Sequence, residues 1–215
     1  MEDKVLVIVF PSTFSLNKIK PLITNIKKIL KIENQKFHKI RQEGDIIIVE
    51  TDDPVFTSSA INTLFGIKRV AIAKQVTNSF DSIVNGISKV GVDLFLESER
   101  FLIRVEGHAK GFMTKDVEVA ATSSLIEKTS KKRIRPGTDE KYDKQLYVYL
   151  TKTHAYICIY SDEGLEGIPN NSQNKKTVCC VFDELSAISC IETIKHGFDV
   201  KIIICFIKES ELLHI

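Results

Sequence analysis

Five cations fall within eight positions at Lys128, Lys131, Lys132, Arg133 and Arg135, a density of fixed positive charge that suits a phosphate backbone. Upstream, Arg104-Val-Glu-Gly-His-Ala-Lys-Gly-Phe (104–112) reads as a strand passing into a basic turn with glycines, and it carries Arg104 and Lys110. A helix opens near Lys115, where the first N–H groups can receive a phosphate oxygen. Together the three features fit sequence-independent binding of a nucleic acid. Each alone has a plainer reading. A Lys/Arg run at a helix end also complements the helix dipole on a solvated face. His108 suits a turn or surface position better than a ligand, and Tyr147, Tyr149, Tyr156 and Tyr160 alternate as residues facing a core would.

A second chemistry is suggested farther on. Thr-Val-Cys-Cys-Val (177–181) reads as a strand, Phe182–Ser186 as a loop, and a helix follows to His196 with Gly197 as its stop. Lys201–Ile207 completes a βαβ unit of the kind that holds nucleotides. A phosphate-cradling loop needs small residues, because backbone N–H groups must approach the oxygens closely. Here Phe182, Asp183, Glu184, Leu185 and Ser186 supply bulk and two negative charges instead. The five cysteines at 158, 179, 180, 190 and 205 have no zinc spacing, and their apolar surroundings predict buried free thiols, Cys205 above all. Asp162-Glu163 and Asp183-Glu184 read as solvated loop carboxylates, so no metal ligand is assigned.

The elements that position these residues follow from periodicity. Val5–Phe10 is a continuous apolar strand; Ile19, Leu22, Ile23, Ile26 and Leu30 mark a helix; short strands near 36–40 and 45–50 flank a turn at Glu43-Gly44. Asp53-Pro54 caps and opens a second helix that Gly66 stops, and Ile67–Ala73 returns as a strand. That order is the βαββαβ, ferredoxin-like pattern. A second unit begins near Thr77, with Phe80, Ile83, Val84, Ile87 and Val90 on a helix and Phe101–Val105 as a strand. A helix then runs from Thr114 or Lys115 to about Thr129. Gln145–Leu150 and Ala155–Tyr160 form antiparallel strands joined by Thr151–His154, and residues 164–176 read as a linker.

With a net charge of +2 and 43% apolar residues, the chain has ordinary cores and no general polyanion-binding character. No apolar run reaches membrane-span length and the start, Met-Glu-Asp-Lys, is acidic; a cytoplasmic protein is expected.

Phe101-Leu-Ile-Arg-Val, Lys110, Phe112, Val117-Glu118, Pro136-Gly-Thr-Asp, Leu146-Tyr-Val-Tyr-Leu and Ala155-Tyr-Ile-Cys-Ile-Tyr resemble a THUMP domain. The unit before it resembles the ferredoxin-like domain of tRNA 4-thiouridine synthetases (the ThiI type). Gly164-Leu-Glu-Gly-Ile-Pro is similar to that family's connector, and the strand, helix, His196-Gly197 and strand to the start of its pyrophosphatase-type (PP-loop) adenylation domain. The resemblance implies an α+β chain: a ferredoxin-like domain over 1–74, an α/β THUMP domain over 75–165, and over 166–215 a linker with a degenerate, truncated PP-loop βαβ remnant. It implies tRNA or another structured RNA as partner, held by Arg104, Lys110, Lys115, Lys128, Lys131, Lys132, Arg133 and Arg135. The family's ATP loop reads Ser-Gly-Gly-x-Asp-Ser; counted back from Gly197, Val181–Ser186 occupies it and only Ser186 matches. No catalytic residue, cofactor or sulfur-carrying cysteine is therefore assigned, and the chain is expected not to be catalytic alone.

Two other functions stay open. One is a subunit of a split tRNA sulfurtransferase with a catalytic partner; the other is a non-RNA interaction module. A lone βαβ unit cannot cover both faces of its strands, so residues 178–215 are expected to dock on other parts of the protein, a second copy or another chain.

Overall fold

Val-Leu-Val-Ile-Val-Phe-Pro offers no polar residue to turn toward water, and it forms strand β1 (Val5–Pro11) with Leu6 to Val9 fully buried. The computed structural model describes residues 5–206. Helix α1 (Ile19–Ile32) buries Ile19, Leu22, Ile26 and Leu30 at the expected spacing, and a 3-10 turn over Thr13–Lys18 precedes it. Strands β2 (Phe37–Glu43) and β3 (Ile46–Thr51) pair antiparallel from Glu43↔Ile46 to Phe37↔Thr51, with a bulge between Phe37 and Lys39. Helix α2 (Pro54–Asn62) starts as its sequence predicts: the Asp53 carboxylate accepts from the Phe56 N–H at 3.1 Å, and Pro54 fills the first turn. It ends at Asn62, four residues before the expected glycine stop. Strand β4 runs Ile67–Thr77, past the expected Ala73.

Helix α3 (Phe80–Leu94) is followed by strand β5 (Arg100–Gly107), helix α4 (Thr114–Lys128), the two-residue strand β6 (Arg135–Pro136) and strands β7 (Lys144–Leu150) and β8 (His154–Glu166). Strand β9 (Lys176–Val181), helix α5 (Glu184–Lys195) and strand β10 (Asp199–Ile204) complete the described chain. The chain is thus mixed α/β, with five α-helices among the described residues.

Two compact units divide it: Val9–Val70 with residues 162–206, and residues 5–8 with Ala71–Ser161. In the first, strands run in the order β2-β3-β1-β4, with β9 and β10 as a separate parallel pair in register from Asp199↔Lys176 to Ile204↔Val181. In the second the order is β4-β8-β7-β5-β6. There β5 pairs parallel with β7 from Phe101↔Lys144 to Gly107↔Leu150, and β7 pairs antiparallel with β8. The connection between parallel β5 and β7 is α4 with β6, as a parallel pair requires a crossover. Alternation along β5 sends Phe101, Ile103 and Val105 into a core with Ile83, Ile87, Val117, Leu125, Leu146 and Ile157, and leaves Leu102 and Arg104 on the other face.

Three local readings change. Strand β8 continues to Glu166, so the first three residues of the expected linker are strand. Gly164 allows this: a Cβ there would lie 2.2 Å from the Ile67 carbonyl oxygen. The expected strand 201–207 is observed as Asp199–Ile204, and Ile207 lies outside the described residues. The cysteines split: Cys158 and Cys190 are buried and Cys179 is half-buried, but Cys180 and Cys205 are exposed. Two strands and one helix cannot enclose every apolar residue they carry, and across β9, α5 and β10 only Val181 and Cys190 are buried.

Candidate nucleic-acid interface

The bare face of β5, the first two turns of α4 and the loop after β6 enclose an open cleft of about 360 Å³. Arg104 reaches it from β5 and forms an ion pair with Asp139 of the facing loop. Lys115 reaches it from α4, 73% exposed, with its ammonium 2.9 Å from Glu118 Oε2. Glu118 is itself buried; its other oxygen accepts from the Val105 N–H at 2.9 Å, which ties α4 to β5. Thr122 and Ser123 add hydroxyls to the same wall. The Met113 N-cap offers no side-chain cap to the first turn of α4, and the Asp116 N–H donates to the Met113 carbonyl at 3.1 Å, which leaves the N–H groups of Thr114 and Lys115 to meet an anion.

The remaining expected cations surround this cleft in sequence but do not form one cluster. Lys110 is exposed in the loop from β5 to α4, whose start is fixed by His108 N–H donating to the Leu150 carbonyl at 2.9 Å and by Asn78 Nδ2 donating to the His108 carbonyl at 2.9 Å. The His108 side chain is exposed, as a turn residue would be. Lys128 ends α4, roughly 20 Å along the helix from Lys115 at 1.5 Å per residue. Lys131 and Arg133 are exposed on the turn that follows, with Arg133 in the left-handed region at φ 52°. Arg135 on β6 pairs in parallel register with Arg100.

Lys132 has a different task. Its ammonium donates to the carbonyls of Val92 at 2.5 Å and Phe95 at 3.0 Å, closing the C-terminal end of α3. Lys144 donates to the Leu94 carbonyl at 3.3 Å and pairs with Glu99 at 3.0 Å, reinforcing the same end. Arg100 pairs with Asp143, whose carboxyl is held below its ordinary value first by the Arg100 backbone N–H and then by the guanidinium. Aromatic platforms are few: Tyr147 and Tyr156 are buried, Tyr147 donates to Glu106 at 2.8 Å, and Tyr160 is exposed. Glu118 and Asp139 join the site only through the fold, because Val105 and Arg104 lie 13 and 35 positions from them in the chain.

The loop at 182–186 is closed on itself. Ser186 Oγ accepts from the N–H groups of Phe182 and Asp183, both at 3.0 Å, and the Asp183 carboxylate accepts from the Ser186 N–H at 2.7 Å. This capping box engages the donors that start α5. It also holds the Asp183 carboxyl below its ordinary value, through the Ser186 backbone first and its side chain second. Among the described residues no three His, Cys, Asp or Glu side chains converge to hold a metal ion, and no helix is long and apolar enough to cross a membrane.

No family model matches the chain. Two curated proteins do: a probable tRNA sulfurtransferase of Methanosarcina mazei, 26% identical over 164 residues, and one of Methanosarcina acetivorans, 25% identical over 161. Each alignment takes in 74% of this chain. The chain is similar to probable tRNA sulfurtransferases. It spans 40% and 39% of the length of those two proteins. The fold is similar to that of PH1313 from Pyrococcus horikoshii Ot3, with TM-score 0.79, 20% identity, and coverage of 98% of this chain and 72% of that one. It is also similar to a 4-thiouridine synthetase solved in complex with RNA and ATP, with TM-score 0.70, 14% identity, and coverage of 94% of this chain and 52% of the other.

Proposed function

We propose that the chain binds tRNA through the surface between Arg104 and Arg135 and serves tRNA thiolation without an ATP site of its own. The observation that carries the reading is the open cleft between β5 and α4, edged by Arg104 and Lys115, and Lys110, Lys128, Lys131, Arg133 and Arg135 add exposed cations in the same unit. Similarity to probable tRNA sulfurtransferases supplies the RNA class. On this reading residues 1–74 act as a ferredoxin-like domain, 75–165 as a THUMP domain and 166–215 as a linker with a degenerate PP-loop unit. Lys132 belongs to the basic surface as the residue that fixes its turn against α3.

Absence of ATP binding is supported by the loop at 182–186. The N–H groups of Phe182, Asp183 and Ser186 are already hydrogen-bonded within the loop, and two carboxylates stand where polyphosphate would approach. The test is titration of the protein with unmodified tRNA and, separately, with Mg-ATP. Submicromolar tRNA binding with no ATP binding to millimolar concentration is expected; ATP binding would overturn the second half alone. A catalytic partner or a second copy seated on β9–α5–β10 is supported by exposed Leu185, Ile188, Ile191, Ile202, Ile203 and Ile204. Loss of a tRNA-thiolating complex on Ile202→Asp/Ile204→Asp substitution, with tRNA binding intact, is the result expected from it.

A further inference from the structure

Two thiols from separate elements meet inside the last βαβ unit. Cys179 lies on β9 and Cys190 one turn before the end of α5, and both line an open cleft of about 340 Å³ together with Leu185, Ser186, Ser189 and Thr193. Cys190 is 3% exposed and Cys179 is half-buried, so one thiol is reachable from solvent and the other sits behind it. Burial first, and the neighbouring Cys179 thiol second, push the Cys190 thiol above its ordinary value. Cys180 and Cys205 are exposed and Cys158 lies in the other unit.

We propose that Cys179 and Cys190 form a peroxide-reactive dithiol that closes reversibly into a disulfide linking β9 to α5. The Cys179 thiolate attacks one peroxide oxygen, the O–O bond breaks, and the leaving hydroxide takes up the proton the Cys179 thiol had released, so that Cys179 sulfenic acid and water form. Cys190 then displaces the sulfenic oxygen as a second water, losing its proton, and the S–S bond closes. Two thiols are oxidised by two electrons and one hydrogen peroxide is reduced to two waters. Burial shields Cys190 from peroxide in solution, and its thiolate, formed as its proton passes to the leaving sulfenic oxygen, attacks the Cys179 sulfur beside the same cleft. The bond would pin α5 to β9 where, across β9, α5 and β10, only Val181 and Cys190 are buried. The inference is independent of RNA binding.

The test treats the full chain with hydrogen peroxide, blocks free thiols under denaturing conditions, and maps peptides after cleavage at Glu184, which separates Cys179 from Cys190. Reactive thiols are expected to fall from five to three, with a 179–190 linkage that dithiothreitol reverses. A Cys158→Ser/Cys180→Ser/Cys205→Ser variant is expected to form the same linkage, and Cys179→Ser to form none. Because Cys190 is buried, Cys190→Ala is used only to confirm loss of the linkage in protein shown to be folded. A crosslink in any other pair, an intermolecular disulfide, or free alkylation of both Cys179 and Cys190 after peroxide would overturn the proposal.

Discussion

Replacing Lys131, Arg133 and Arg135 together, while leaving Lys132 intact, tests the basic surface most directly. All three are exposed, and none is used in a side-chain cap like that of Lys132. Arg133 should become Asn, which tolerates its φ of 52°; Lys131 and Arg135 should become Ala. Each phosphate contact contributes about −0.9 to the slope of log K against log salt for duplex nucleic acid and about −0.7 for single strands. Removing three contacts makes the slope shallower by about 2.7 or 2.1. Between 50 and 200 mM salt, the wild type is then expected to lose roughly 40-fold more affinity than the variant on a duplex region, or roughly 20-fold more on a single strand. Fluorescence anisotropy with labelled tRNA at stepped KCl concentrations reads this, with circular dichroism to show that both proteins are folded. Parallel lines of equal slope would refute the assignment, because these residues would then touch no phosphate.

Lys132→Ala is expected to cost about 2 kcal/mol in urea unfolding, since two carbonyls at the end of α3 lose a charged donor. Glu118→Ala should cost about 1–3 kcal/mol by stranding the buried Val105 N–H, whereas Glu118→Gln, which keeps an acceptor, should cost less; equal losses would contradict the role given to that bond. Gly107→Ala should destabilise by at least about 3 kcal/mol, because the residue sits at φ 105° and a Cβ would stand 2.2 Å from the Leu150 carbonyl oxygen; a neutral result by calorimetry would show that β5 ends differently. The Asp183 cap has a definite pH sign: with the folded value lowered, its contribution is full above the ordinary carboxylate value near 3.8 and disappears as pH falls through the lowered one. Amide protection factors in the first turn of α5, taken against the intrinsic exchange rate at each pH, should therefore fall only in that acid range, and in Asp183→Ala should be low at all pH.

What the sequence disclosed was local. Spacing located α1 through Ile19, Leu22, Ile26 and Leu30, the Asp53-Pro54 pair located the start of α2, and alternating apolar residues located β7 and β8. The three-part basic surface was also legible as a set of residue types. Hidden from it was everything that depends on contact between distant positions: Lys132 closing a helix 37 and 40 residues upstream, Arg104 meeting Asp139, and Glu118 supporting β5. Apolar neighbours along the chain also predicted that Cys180 and Cys205 would be buried. Burial is set by what covers a strand, and β9 and β10 are covered on too little of their surface to enclose either thiol.

The loop at 182–186 argues in two ways, and the second is stronger. Missing glycines remove the space for a phosphate, yet space can be recovered by shifting a side chain. Donors already engaged are harder to recover. To receive polyphosphate, the loop would have to break the bonds from Phe182, Asp183 and Ser186, uncap α5, and bring phosphate beside a carboxylate that the same cap keeps ionised. Asp183→Gly combined with Phe182→Gly removes the bulk and the carboxylate cap, leaving Ser186 in place. If the loop is an ATP site lost only through those side chains, that variant should gain Mg-ATP affinity, read by calorimetry. If Glu184 and Leu185 also matter, affinity stays absent while α5 frays. The second result is expected, because Glu184 keeps a carboxylate in the loop and Leu185 stays bulky and exposed there.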